Sequence, residues 1–230
     1  FNAPENQTAI GQVTASDPED DSFTFSMNSD EISITSEGTL TFVTAPDYET
    51  QKVFTATVSV TDSEENSATQ DITINVTNVN DNSPVITSDA SFTVAENQTT
   101  IGTIIVTDAD NETDADNTDI NYSVSGSELE ISSAGVLSFV TAADYESKTT
   151  YSATITVNDG AFSTTQDITV NVTNVNDVAP EFTSNATFSA EENQTAIGTV
   201  TATDAEGDEV TFTVSGSELE ITSAGVLTFT

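Results

Sequence analysis

The 230-residue sequence carries 39 Asp and Glu against 2 Lys and Arg, a formal net charge of −37, and contains neither His nor Cys. A nucleic-acid surface needs Lys and Arg to displace counterions from phosphates, so that partner is excluded, and the missing residue types exclude thiol chemistry, imidazole catalysis and zinc sites built on His or Cys. Hydrophobic residues make up 35%, sufficient for small β cores, and no apolar run approaches the ~18 residues of a membrane span.

In chain order the sequence repeats itself. Phe1-Asn-Ala-Pro-Glu5-Asn-Gln-Thr-Ala-Ile-Gly11 returns as Phe92-Thr-Val-Ala-Glu96-Asn-Gln-Thr-Thr-Ile-Gly102 and as Phe188-Ser-Ala-Glu-Glu192-Asn-Gln-Thr-Ala-Ile-Gly198, shifts of 91 and 96 residues. Asp17 to Leu40 and Asp204 to Leu227 both span 23 residues, whereas Asp108 to Leu137 spans 29. The middle repeat therefore holds six extra residues within Asn111–Asn117, a polar insertion expected as a longer surface loop. The expected division is 1–82, 83–178 and 179–230, with only the second repeat whole. Both ends fall inside a repeat, so the natural chain is expected to be longer, or the strands lacking in the third repeat to come from a neighbouring molecule.

Each repeat reads as strand after strand. In the second, Phe92–Val94, Ile101–Val106, Ile120–Val124, Leu129–Ile131, Val136–Val140, Tyr151–Val157 and Ile168–Val172 are short and rich in Val, Ile and Thr. In the first, Ile72, Ile74 and Val76 alternate with Thr73 and Asn75, one face inward and one outward. Seven strands per repeat predict an all-β fold of tandem immunoglobulin-like, seven-stranded Greek-key sandwiches in a linear array. The Ser-x-Gly steps before Val136 and its counterparts predict hairpins with Gly in the left-handed conformation. No segment has helical periodicity.

The recurring acids concentrate at strand ends and loops. They are Glu5, Glu96 and Glu192; Asp17-Pro-Glu19, Asp108-Ala-Asp110 and Asp204-Ala-Glu206; Asp47-Tyr-Glu49 and Asp144-Tyr-Glu146; Asp62 and Asp159; and the inter-repeat Asn78-Val-Asn-Asp-Asn82 and Asn174-Val-Asn-Asp-Val178. In their order these clusters resemble those of cadherin repeats, over essentially the whole sequence. The resemblance implies calcium ions, about three per junction, held by residues of two consecutive repeats. At the first junction it implies Glu5, Asp47, Glu49, Asn78, Asn80 and Asp81 with Asp108, Asp110 and Asp159, completed by the carbonyls of Val79 and Asn82. At the second it implies Glu96, Asp144, Glu146, Asn174, Asn176 and Asp177 with Asp204 and Glu206, completed by the carbonyls of Val175 and Val178. The sequence departs from the family pattern where Asn78 and Asn174 replace an Asp, Val178 an Asn, and Glu206 an Asp. Each Asn keeps an oxygen but removes a charge, so weaker binding is expected at those positions.

The chemistry supports a metal independently. Two like charges ~4 Å apart repel by roughly 4 kcal/mol at an effective dielectric near 20, and calcium takes six to eight oxygens in irregular geometry. Tyr48 and Tyr145, between ligands, are expected to pin the loop from the core. Asp114 and Asp116 are expected as solvated loop residues, and Asn6 and Asn97 stand in Asn-x-Thr sequons, as do several other asparagines. Paired carboxylates could serve glycoside hydrolysis, but no aromatic-lined groove accompanies them.

The sequence is thus expected to be a non-catalytic, calcium-rigidified extracellular array. It would act as a spacer, adhesin or filament segment at a cell surface, with a bacterial source. The partners considered are other copies of the chain and surface glycans. Polysaccharide binding through Phe162 or Tyr122, and calcium-dependent self-association by strand exchange, are the alternatives.

Overall fold

The computed structural model describes residues 1–19, 21–110 and 120–230, so the insertion at 111–117, with Asp114 and Asp116, lies outside the described residues. Among the described residues every regular element is a strand, and no helix is long and apolar enough to cross a membrane. The chain divides into two compact units. One comprises Phe1–Val85, Val106–Asn121 and Asn158–Thr164; the other comprises Ile86–Ile105, Tyr122–Val157 and Thr165–Thr230.

In the first unit seven strands follow in order: β1 (Asn2–Pro4), β2 (Ala9–Gln12), β3 (Phe23–Met27), β4 (Ile32–Ile34), β5 (Thr39–Phe42), β6 (Val53–Asp62) and β7 (Ser67–Thr77). They form a four-stranded sheet, β1-β7-β6-β3, and a three-stranded sheet, β2-β5-β4. β1 runs parallel to β7, whereas β3–β6 and β6–β7 are antiparallel. The facing apolar positions make the core, in which Ile32, Leu40, Phe42, Phe54, Val58 and Ile74 are buried. Ile72, Ile74 and Val76 point inward and Thr73 and Asn75 outward, so the alternation in the sequence is the pleat of β7. This is an immunoglobulin-like sandwich.

In the second unit Thr169–Thr173 pairs in parallel with Ser91–Ala95, repeating the β7–β1 register, and Val136–Phe139 lies between Thr100–Thr103 and Leu129–Ile131 as β5 lies between β2 and β4. Two sequence expectations need adjustment. The segment expected as one strand over Ile101–Val106 is regular only at Thr100–Thr103 and again at Val106–Thr107. Its register shifts between Thr100 and Gly102, and Ile104 N–H turns to the Gly135 carbonyl at 2.8 Å. The last strand begins at Ser163, five residues before the expected Ile168. Its polar first turn gives no apolar signal, although Gln166 donates from its side chain to the Ser88 carbonyl.

The three recurring Phe-to-Gly segments share one local contact. The Phe92 ring lies over Gly102, where an added Cβ would come within 3.0 Å of it, and Phe1 and Phe188 cover Gly11 and Gly198 in the same way. In the third repeat Ala196–Thr199, Val226–Phe229 and Leu219–Ile221 form the smaller sheet. The counterpart of β3, around Phe212, is not a strand. Phe212, Val214, Leu219, Ile221 and Leu227 line an open cavity of 520 Å³, and Phe182 is 76% exposed.

Gly135 turns the hairpin before Val136 with φ +75°, and an added Cβ would lie 2.7 Å from the Ile104 carbonyl oxygen, whereas Gly126, at φ +87°, faces open space. The left-handed conformation costs a non-Gly residue roughly 1–2 kcal/mol, and forcing atoms into a packed site adds about 1–3 kcal/mol. Gly126→Ala should therefore lower stability by about 1 kcal/mol in urea denaturation, and Gly135→Ala by at least about 2 kcal/mol. Equal losses would show that the turn, rather than the packed carbonyl, sets the requirement for glycine.

Candidate metal centre

The first acidic centre lies wholly within the first unit. It starts from Glu5, immediately after β1, a carboxylate 1% exposed. Its Oε2 accepts the Tyr48 N–H at 2.7 Å and its Oε1 the Val79 N–H at 2.7 Å. One buried anion thus joins the end of β1, the Asp47-Tyr48-Glu49 loop and the Asn78–Asn82 segment that leaves β7. A buried carboxylate is tolerated only when its oxygens are hydrogen-bonded, and two main-chain donors meet that need.

Around this anchor the other carboxylates gather. Glu5, Asp47 and Glu49 each offer an oxygen within 4.8 Å of the others, and so do Glu49, Asp81 and Asp110. Asp110 Oδ2 accepts the N–H groups of Asp81 at 3.1 Å and Asn82 at 2.8 Å, and its Oδ1 accepts Asn82 Nδ2 at 2.9 Å. Asn78 donates to the Asp110 carbonyl at 2.5 Å and Asn80 to the Asp159 carbonyl at 3.3 Å. Asp108 Oδ1 accepts the Asp110 N–H at 3.0 Å, and Asp159 Oδ1 accepts the Ala161 and Phe162 N–H groups at 2.7 Å each. Of the side chains expected here, Glu5, Asp47, Glu49, Asp81 and Asp110 share the two oxygen clusters, whereas Asn78 and Asn80 are tied to the Asp110 and Asp159 main chain.

The second centre lies wholly within the second unit and repeats the design. Glu96, 2% exposed, accepts the Tyr145 N–H at 2.9 Å and the Val175 N–H at 2.7 Å. Two clusters, Glu96-Asp144-Glu146 and Glu146-Asp177-Glu206, each hold oxygens within 4.8 Å. Glu206 takes the place of Asp110, with Oε1 accepting the Asp177 N–H at 3.0 Å and the Val178 N–H at 2.7 Å, and Asn174 Nδ2 lies 3.5 Å from its carbonyl. Asp204 Oδ1 accepts the N–H groups of Glu206 at 3.1 Å and Asp208 at 3.2 Å. The longer side chain of Glu206 thus reaches the same two main-chain donors.

Four carboxylate oxygens, Glu49 Oε1, Asp108 Oδ2, Asp159 Oδ2 and Glu206 Oε2, are shut off from solvent and accept no hydrogen bond. An ionised oxygen in that position is costly unless a cation meets it. Burial, with the charges of Glu5 and Asp110, pushes the Glu49 carboxyl up; burial, with Asp110 and Asp159, does the same to Asp108. Glu146 is raised by burial and by Glu96, Glu206 and Asp144. Glu206 is held down at about 2, first by the Asp177 N–H and then by that of Val178, and so stays ionised. For Asp159 burial pushes upward but is outweighed by the Phe162 and Ala161 N–H groups and Asn80, leaving it below the usual range. An all-oxygen set of this kind, drawn from several loops, fits a hard divalent cation that tolerates irregular coordination.

Three residues of these centres carry no role in the sequence reading. Asn6 Nδ2 donates to Asp81 Oδ2, and Asn97 Nδ2 to Asp177 Oδ2, both at 2.5 Å. Asn176 Nδ2 donates to Asp208 Oδ2. The asparagines follow the recurring glutamate at a fixed offset, and that spacing was the available signal; Asp208 stands four residues after Asp204, as Asp21 does after Asp17 and Glu112 after Asp108 in the sequence. Tyr48 and Tyr145 are half-buried, and Tyr48 packs on the core of the first unit, as expected of residues pinning this loop. At the opposite end of the first repeat, Asp17, Glu19 and Asp21 also offer oxygens within 4.8 Å of one another.

The sequence profile of the family described as "Bacterial Ig domain" matches residues 1–75. The protocadherin-like wing polarity protein stan of Drosophila melanogaster is 32% identical over 199 residues, 77% of this chain and 6% of that protein. Mouse cadherin-23 EC22-24 is 22% identical with a TM-score of 0.66, covering 99% of this chain and 83% of that one. Protocadherin gammaB7 EC3-6, solved as a cis-dimer, is 25% identical with a TM-score of 0.66, covering 100% of this chain and 62% of that one. The chain spans only about 6% of the length of the stan protein. With two sandwiches of the same strand order, a repeating acidic set and these likenesses, the chain is a tandem array of cadherin-like repeats.

Proposed function

We propose that this chain is a calcium-rigidified segment of an extracellular, non-catalytic protein, working as a spacer or adhesin segment in cell-surface adhesion. The observation that carries the reading is the set of four buried carboxylate oxygens that accept no hydrogen bond, at the two places where the acidic loops converge. Calcium would be held at the first by Glu5, Asp47, Glu49, Asp81, Asp108, Asp110 and Asp159, and at the second by Glu96, Asp144, Glu146, Asp177, Asp204 and Glu206. It supplies positive charge to groups that otherwise repel, and so ties residues of consecutive repeats, divided at 1–82, 83–178 and 179–230, to a common ion. The adhesive role is carried over from the cadherin relatives. The bacterial surface follows from the description of the matching family and from the repetition within the sequence.

Self-association is a second reading, favoured by the cis-dimer of the protocadherin to which this chain is similar. Glycan binding has no comparable support: the Tyr122 ring lies against Gly135 rather than on a platform. Sedimentation with and without calcium separates spacer from assembly, a calcium-stiffened monomer favouring the first and a calcium-dependent oligomer the second.

Calorimetric titration should register calcium uptake at both centres, with dissociation constants on the order of 10⁻⁴–10⁻³ M. Chelation should lower the melting temperature by about 10 °C or more, since several ions lost from one domain remove a few kcal/mol and each kcal/mol shifts a domain of this size by roughly 4–8 °C. No uptake, with the same melting curve in chelator, would overturn the reading. Asp110→Ala removes both a ligand and the acceptor for Asp81 and Asn82, so it should abolish uptake at the first centre alone. The Val79 and Val175 amide signals in NMR report the two centres separately, and loss at both would reject the residue assignment. Because the Glu49, Asp108 and Glu146 carboxyls are raised, protons compete with calcium there. Affinity should fall as the pH drops through the carboxylate range, with proton release on binding visible as a buffer-dependent enthalpy.

A further inference from the structure

Asn6 and Asn97 are not among the ligands assigned above, yet they occupy equivalent positions in two separately built centres. Each follows the buried glutamate with a left-handed backbone, φ +61° and +63°. Each donates its own N–H to the loop ahead of the Asp-Tyr-Glu segment, Asn6 to the Pro46 carbonyl at 3.0 Å and Asn97 to the Ala143 carbonyl at 2.9 Å. Glycine would serve that conformation at no steric cost, so the turn alone does not call for a carboxamide. What glycine could not supply is the Nδ2–H donated to the linker aspartate, at 2.5 Å in both centres.

That aspartate is central to each centre. Asp81 shares a cluster with Glu49 and Asp110, and Asp177 with Glu146 and Glu206. Its main-chain N–H is held by Asp110 or Glu206, which fixes the backbone but leaves the side chain free to rotate away from its like-charged neighbours. At Asp81 the second oxygen accepts Asn82 Nδ2 at 2.8 Å, so the carboxylate is held from two sides. At Asp177 the residue corresponding to Asn82 is Val178, which has no side-chain donor, and more of the task falls on Asn97.

We propose that Asn6 and Asn97 are positioning residues. Each amide fixes the rotamer of a linker aspartate, Asp81 or Asp177, and offsets part of its charge, so that the carboxylate faces the other ligands before a cation arrives. The proposal rests on the calcium reading above. It places the larger effect at Asn97, where the second donor is missing. Outer-shell donors of this kind are worth about 10- to 100-fold in metal affinity.

The test is calcium titration of the full chain carrying Asn97→Gly or Asn6→Gly, followed by calorimetry and by the Val79 and Val175 amide signals. Glycine keeps the turn and deletes only the donor, so in chelator the chain should stay folded, with a melting temperature lowered only by the loss of that one hydrogen bond. N97G should weaken calcium binding at the second centre by about 10-fold or more and leave the first as it was. N6G should have the smaller effect, confined to the first centre. Normal affinity in both variants would overturn the proposal and reduce the asparagines to turn formers. An unaltered chain that takes up no calcium would instead overturn the calcium reading, and the proposal with it, so the two failures are distinguishable.

Discussion

The constraint on which the rest depends is that like charges have been gathered at close range, some of their oxygens shut off from water. Glu49, Asp81 and Asp110 bring oxygens within 4.8 Å of one another, and Glu146, Asp177 and Glu206 do the same. At an effective dielectric near 20, a pair at ~4 Å repels by roughly 4 kcal/mol. Two Lys in 230 residues cannot offset this, and one of them, Lys148, is paired with Glu128 at 2.6 Å instead. The sandwiches therefore hold their loops in an arrangement that is electrostatically unfavourable by itself, and their buried apolar faces supply the stability that makes this possible.

Within each centre the carboxylates divide into two kinds. Glu5 and Glu96 are fully satisfied by main-chain donors and need no metal to be stable; they tie the loops to the start of the first strand. Asp110 holds the linker backbone in a comparable way, and Glu206 does so through Oε1 while its Oε2 is left buried without a hydrogen bond. By contrast, Glu49 and Asp108 each keep an oxygen buried without a hydrogen bond, and their carboxyls are raised accordingly. Hydrogen-bonded oxygens thus fix the loops, and the bare oxygens, that of Glu206 among them, are the ones left for a cation, which is preorganisation in the sense used for designed sites.

Much of this was legible in the sequence. Alternation at Ile72, Ile74 and Val76 identified a half-buried strand, the Ser-x-Gly steps identified hairpins, and the recurring acids identified the groups that meet, because apolar period and turn chemistry are local signals. The break after Thr103 was not legible, since it is set by a register shift and by a bond to Gly135 from another strand. The division of labour among the carboxylates was equally hidden. Glu5 and Glu49 look alike in the sequence, and only tertiary placement gives one two main-chain donors and leaves an oxygen of the other bare. Asn6 and Asn97 read as sequons because the aspartates they serve lie 75 and 80 residues away.

The size of the metal contribution bears on what such an array can do. With calcium near 1 mM and a dissociation constant near 10⁻⁴ M, each ion stabilises the form that binds it by about 1.4 kcal/mol. A few ions at one centre then contribute about 4 kcal/mol, less than the ~5–15 kcal/mol that holds a domain of this kind together. Removing them leaves the sandwiches above the threshold for folding, since Glu5 and Glu96 keep their main-chain partners. On the calcium reading proposed above, removal would act instead on the loops whose charges then repel, and so on stiffness more than on the fold of each repeat. On that reading a segment built this way would be rigid where calcium is millimolar and would loosen where it is scarce, while its apolar core stays as it is.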